Sequence, residues 1–137
     1  MNKKTFYILS ITWGLPLTLI GLIVAAVLIC IGYKPKKWGC CYYFEVGENW
    51  GGLELGIIFL TNKNPTKHIR NHEHGHAIQN CYLGVFMPFV ICIPSAIRYW
   101  YRTFRTMAGL ENKTKYDDIW FERTATELGK IYASMWN

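Results

Sequence analysis

The sequence contains no C-x-x-C pair, no internal repeat and no low-complexity tract. The first absence argues against a cysteine zinc ribbon, and the second excludes an array of stacked repeats. Its five cysteines, Cys30, Cys40, Cys41, Cys81 and Cys92, are odd in number. At least one thiol therefore stays unpaired within the chain, and no disulfide framework is compelled. Cys30 and Cys92 lie in apolar runs, where cysteine behaves as a small hydrophobe.

Acidic residues are scarce, 9 against 15 Lys and Arg, which leaves a formal charge of +6. A basic excess points to nucleic acid, to anionic lipid or to membrane topology signals. The cluster Lys34, Lys36 and Lys37 directly follows a hydrophobic run, so it reads as a membrane flank, and no nucleic-acid partner is expected. Charge is missing altogether from residues 6–33, "FYILSITWGLPLTLIGLIVAAVLICIGY". At helical rise that run exceeds the hydrocarbon thickness of a bilayer, and Pro16 is tolerable within it as a kink. The run is too long for a signal peptide and lacks a small-x-small cleavage site, so a retained transmembrane anchor is expected. The slightly positive mean hydropathy agrees. Lys3 and Lys4 flank one side and three lysines the other, which favours a cytoplasmic carboxyl side.

The length suits one domain beyond the anchor, giving residues 1–37 as anchor with basic flanks and 38–137 as the folded domain. Within it, "CCYYFEV" and "LELGIIFL" read as strands around the turn cluster "GENWGG", the economical arrangement being a hairpin with a possible bulge at Gly56. A helix is expected from Pro65 or Thr66, with Asn64 as possible cap, to Leu83, where Gly84 ends it. Residues 84–101 are apolar, but short for a span and interrupted by Pro88 and Pro94. They read as an interfacial, re-entrant or broken helical segment, with a second full span as the alternative. Asp118 can cap a last helix whose buried stripe is Phe121, Ala125, Leu128, Tyr132 and Met135. The fold class expected is an α+β membrane protein.

The expected helix over 66–83 carries the chemistry. His72-Glu73-His74-Gly75-His76 matches H-E-x-x-H. Residues four apart share a helix face, so His72 and His76 present two imidazoles to one ion at a spacing that zinc accepts. Glu73, beside that face, can take a proton from a water that zinc activates and pass it on. His74 points to the opposite side. His68 lies on the same row one turn earlier, and could join only if the helix bent.

A catalytic zinc needs a third protein ligand. Glu111, Asp117, Asp118, Glu122 and Glu127 lie downstream. Glu122 fits best, because Ala125 and Gly129 follow on its side of the last helix and let another helix come close. Glu127 points away from that groove.

In His72-Glu73-x-Gly75-His76 followed by Glu122-x-x-Ala125-x-x-x-Gly129, the chain resembles the gluzincin metallopeptidases, in a reduced form of the HtpX and CAAX-protease type. It also resembles small bacterial membrane proteins with H-E-x-G-H-x-x-Q, which Gln79, Leu83-Gly84 and Ile93-Pro94-Ser95 fit. The resemblance covers residues from about 50 to 130. It implies that His72, His76 and Glu122 hold Zn2+ and that Glu73 is the general base. It implies an integral protein of the bacterial plasma membrane. It also implies that a peptide or protein substrate adds as a β-strand to residues 53–60. The larger enzymes have further helices that this chain lacks. For stabilising the tetrahedral intermediate, the candidates are Tyr116, Tyr132 and Arg123.

The reading is a small membrane-anchored zinc peptidase. One rival is a membrane protein that binds metal for structure or sensing and cleaves nothing. Another is a metal-free membrane protein whose histidines meet headgroups or a partner.

Overall fold

The computed structural model describes residues 1–137 as an α+β fold of five α-helices and one four-stranded sheet. The charge-free amino-terminal run is not one helix. It forms α1 (Lys3–Ile11) and α2 (Leu15–Cys30), whose axes turn by 89°. No single helix is long and apolar enough to cross a membrane. The break falls before the expected kink, because Gly14 precedes α2 and Pro16 occupies its first turn, where no backbone donor is needed. Long-range bonds fix the corner: Asn80 Nδ2 donates to Gly14 O and Trp13 Nε1 to Tyr82 O. α1 then packs inward, with Phe6 fully buried in the core that also holds Tyr43, Phe59, Ile78 and Trp136.

The strands are β1 (Lys36–Trp38), β2 (Cys41–Glu45), β3 (Gly52–Leu55) and β4 (Ile58–Thr61), in the order β1-β2-β4-β3. The expected hairpin between "CCYYFEV" and "LELGIIFL" is therefore corrected. The second stretch is itself a hairpin, with Leu55 opposite Ile58 and Gly56-Ile57 as its turn. Gly56 takes φ +75°, which a two-residue hairpin loop demands, so it is the turn residue and not a bulge. β4 comes to lie parallel to β2, and β3 is left at an edge.

Strand alternation divides the sheet's faces. Phe44 and Ile58 pack on Ala25 and Leu28 of α2. Cys41, Tyr43 and Phe59 face the opposite way, toward Ala77 and Ile78 of α3 (Lys67–Leu83), behind which lies α5 (Trp120–Trp136). Thr66 caps α3 through its Oγ1, and Gly84 ends it. The segment after Gly84 is broken: a 3₁₀ turn, a π turn over Pro88–Cys92, then α4 (Ile93–Met107), a bend of 114° from α3. The cap expected from Asp118 is absent. Ile119 occupies the N-cap of α5, and Asp118 instead accepts from Lys115 N–H. In α5 the buried stripe shifts late: Trp136 is buried and Met135 is exposed, because Trp136 packs on Phe6 and His74.

His74 explains how α1 and the sheet are tied to α3. It is fully buried, stacks on Phe6, and its Nε2 accepts the Cys40 N–H at 3.2 Å. Burial drives its pKa down from 6.5 to about 4, so it is neutral in the fold and protonated on unfolding below pH 6.5. The unfolded chain then binds the extra proton. This residue's contribution is complete above pH 6.5 and is lost as pH falls to 4, by about 3 kcal/mol in all. Urea titrations at pH 7 and pH 4.5 should show that loss in the wild type, and a shallower pH dependence in His74→Gln.

Candidate metal centre

α3 and α5 approach closely because each offers a small residue at the crossing. A Cβ on Gly75 would overlap the carbonyl oxygen of Ala125, and one on Gly129 would overlap the carbonyl oxygen of Asn71. The contact is reciprocal, so neither helix can move aside. It brings Glu122 against the face that carries His72 and His76.

His72 Nε2 lies 2.9 Å and His76 Nε2 3.2 Å from Glu122 Oε2, and the two nitrogens are 3.2 Å apart. Ligand bonds of about 2.0–2.1 Å in a tetrahedron give edges of about 3.3 Å. The three atoms thus already form something close to one face of such a polyhedron. All three side chains are buried.

The outer hydrogen bonds fix which nitrogens carry protons. Gln79 Nε2 donates to Phe121 O, so Gln79 Oε1 is free to accept from His76 Nδ1–H at 2.7 Å. Thr126 Oγ1 donates to Asp117 Oδ2, so it accepts from His72 Nδ1–H at 2.8 Å. In the neutral tautomers both Nε2 lone pairs then point at each other and at a carboxylate oxygen. Three acceptors converging in a buried volume call for positive charge among them, which a proton shared with His76 or a bound cation can supply. Glu122 Oε1 is itself held by Ser95 Oγ–H at 2.6 Å. Each of the three side chains therefore has an outer partner that orients it, an arrangement suited to metal ligands. Buried His72, His76 and Glu122 lie close together and can hold a metal ion.

The electrostatics agree. Burial works to raise the Glu122 carboxyl, but hydrogen bonds from His72, His76 and Ser95 prevail and hold it far below the usual range. Burial disfavours charge on His76, yet Glu122, Glu73 and Glu54 push its pKa up to about 9. Above neutral pH the cluster still retains a proton, which a bound divalent cation would displace. Burial also raises Glu73, with His72 and His76 opposing and Glu122 assisting.

Glu73 is buried on α3 against the edge strand. A Cβ on Gly52 would come within 2.6 Å of Glu73 Oε1, so the glycine leaves room for that carboxylate. Two cavities, of about 540 and 390 Å³, share His72, Glu73, Gly52, Tyr99 and Tyr116 in their walls and form one groove beside β3. Of the three candidates for oxyanion stabilisation, only Tyr116 lines this groove. Tyr132 meets the amino terminus and Trp136, and Arg123 reaches Asp118 O. His68 is exposed, 3.9 Å from Asp117, and stays outside the buried triad.

Sequence reasoning passed over Thr126 and Glu54, and it named Gln79 and Ser95 only as parts of a resembled pattern, with no role for either. Two of these carried a signal: Thr126 follows Glu122 by four residues and Gln79 follows His76 by three, the spacings of helix neighbours. Ser95 and Glu54 arrive from distant elements, so helix spacing gave neither a place beside the cluster. Thr126→Val keeps the shape but removes the acceptor for His72 Nδ1–H. Metal affinity should fall about 10–100-fold, measured by competition with a chelating dye.

Comparisons with family models, curated proteins and solved structures find no match for this chain.

Proposed function

We propose that the chain is a zinc-dependent peptidase working at a bilayer. The observation that carries this reading is the convergence of His72 Nε2, His76 Nε2 and Glu122 Oε2 within 3.2 Å of one another, with an ionisable carboxyl, Glu73, in the wall of the adjoining groove. Two nitrogens and one carboxylate oxygen suit zinc and leave a fourth position for water or substrate. When bound, zinc supplies Lewis acidity, polarising a carbonyl and lowering the pKa of water to about 7.

The chain's own residues supply the rest. His72, His76 and Glu122 bind the ion, and Thr126, Gln79 and Ser95 orient them. Glu73 accepts the proton of the attacking water and passes it to the leaving amine. Burial raises its pKa, which favours its holding that proton between the two transfers. Tyr116, which lines both cavities with its ring 6.2 Å from that of His72, would donate to a developing oxyanion. The free edge of β3 supports binding of an extended peptide by strand addition, since Gly52 and Leu53 border the groove next to Glu73.

The bilayer part rests on exposed apolar surface. α2 buries Leu17, Gly21, Ala25 and Leu28, and leaves Leu19, Ile23, Val27 and Ile29 exposed. Phe86, Phe89, Ile93, Ile97, Trp100 and Phe104 are exposed as well. Such an extent of apolar surface marks an interaction face, and its mixture of Trp, Tyr and Arg along α4 suits the headgroup layer.

The test is cleavage of a peptide library by detergent-solubilised protein. Cleavage that is lost on chelation and regained on adding zinc supports the reading. One zinc per chain with no cleavage of any peptide would favour a structural or sensing role instead.

A further inference from the structure

His68 and Asp117 take no part in the buried triad, yet they lie directly outside it. His68, His72 and His76 occupy successive turns of one row on α3, with ring centroids 6.1 and 4.7 Å apart. Exposure falls steeply along the row: the side chain of His68 is 57% exposed, that of His72 8% and that of His76 9%. Asp117 faces the outer end. Its Oδ2 lies 3.9 Å from His68 Nε2 and accepts from Thr126 Oγ1–H, the hydroxyl that in turn accepts His72 Nδ1–H. No lysine or arginine pairs with Asp117. Arg102, the one basic side chain in the wall of the 540 Å³ cavity, is engaged by Thr114 O and the Tyr116 ring. One donor atom from each of His68, His72 and Asp117 lies within 4.8 Å of the others. There are thus two sets of donors, one outer and partly exposed, one inner and buried, and they share His72.

A buried metal site needs an entry path. Glu122 is fully buried and both imidazoles nearly so, so an ion must shed water before it reaches them. Shedding water without replacement donors is costly for any ion. His68 and Asp117 supply such donors in the wall of the 540 Å³ cavity, which also reaches His72. The 390 Å³ cavity reaches His72 and His76 too, but its walls elsewhere are chiefly apolar, among them Leu53, Met87, Ile91 and Trp100. The 3.9 Å separation of His68 from Asp117 exceeds the edge of about 3.3 Å in a zinc tetrahedron, so the outer set is the looser of the two. Loose binding outside and tight binding inside, with one ligand in common, is the order that a relay needs. We propose that His68 and Asp117, together with His72, form an outer cation site through which zinc enters and leaves the buried triad. The inference rests on the buried metal centre and not on peptidase activity.

Stopped-flow uptake of zinc by the metal-free full chain in detergent, followed against a chromophoric chelator, tests the route. An entry site lowers a barrier without changing the end states. His68→Ala should therefore slow zinc association and zinc release together, by about tenfold, and leave Kd unchanged. A merely structural role for His68 would shift Kd instead. A second arm disables the inner set. Glu122→Ala should keep a weak zinc affinity, seen on titration to high zinc, that disappears when His68→Ala is added. Should Glu122→Ala not fold, His76→Ala serves for the same comparison. Uptake and release in His68→Ala at the wild-type rates, a change in Kd alone, or a residual affinity indifferent to His68 overturns the proposal. A wild-type chain that takes up no zinc removes the buried centre as well, so failure of the centre and failure of the route are told apart.

Discussion

Glu73→Gln should lower peptide turnover by about 10³-fold, within the 10²–10⁴ range for loss of a general base, while zinc affinity stays within about threefold. Glu73 lines both cavities and makes no contact within the triad of donor atoms. The amide matches the carboxylate in shape and still fits above Gly52, but it cannot take a proton. The separation of the two readouts is informative. Loss of metal together with activity would make Glu73 a structural support of the centre. Full activity in the variant would remove it from the mechanism altogether. Paired kinetics and zinc titration on the same preparation give both numbers.

The second large effect is expected at the helix crossing. On an isolated helix Gly→Ala is favourable by about 1 kcal/mol. At Gly129 the sign should reverse, because the added methyl would overlap the Asn71 carbonyl, which belongs to the backbone of α3 and cannot rotate away. Overpacking typically costs about 1–3 kcal/mol, and relief requires the helices to separate. Separation moves Glu122 away from His72 and His76, so Gly129→Ala should lower both the melting temperature and the metal affinity, the latter by more than about tenfold. Gly75→Ala, which meets the Ala125 carbonyl, should do the same from the other helix. Thermal melts with and without zinc check this. A stabilised Gly129→Ala would show that the crossing is looser than the backbone contacts imply.

Much of the candidate metal centre was legible because it is written in helix spacing. His72 and His76 stand four apart, and Glu122, Ala125 and Gly129 share a face, so the pairing of two helices through small residues follows from periodicity. The reciprocal seating of Gly75 on Ala125 and Gly129 on Asn71 is its physical content. The break in the amino-terminal run was not legible, for the opposite reason. An all-apolar stretch has no period, so nothing in it announces that Phe6 and Ser10 turn into the core while the outer face of α2 stays exposed. The corner between α1 and α2 is set by Asn80 and Tyr82, far away in sequence. The parallel pairing of β2 with β4 was likewise hidden, since alternation gives a strand its faces but not its neighbour. In the last helix, spacing placed Phe121, Ala125 and Tyr132 in the buried stripe, and the final residue there, Trp136, was chosen by its aromatic contacts with Phe6 and His74.

The measurement that bears most directly on the centre is metal content paired with the Glu122 substitution. The wild-type chain, purified in detergent without added metal chelators, should carry one zinc, and Glu122→Ala should lose it. With the carboxylate gone, two neutral imidazoles face one another without an anion, and affinity should drop by about 10³-fold or more. His72→Ala should behave alike. A wild-type chain that is folded yet binds no zinc, or a Glu122→Ala protein that binds it as tightly as the wild type, would contradict the assignment of this cluster as a metal centre.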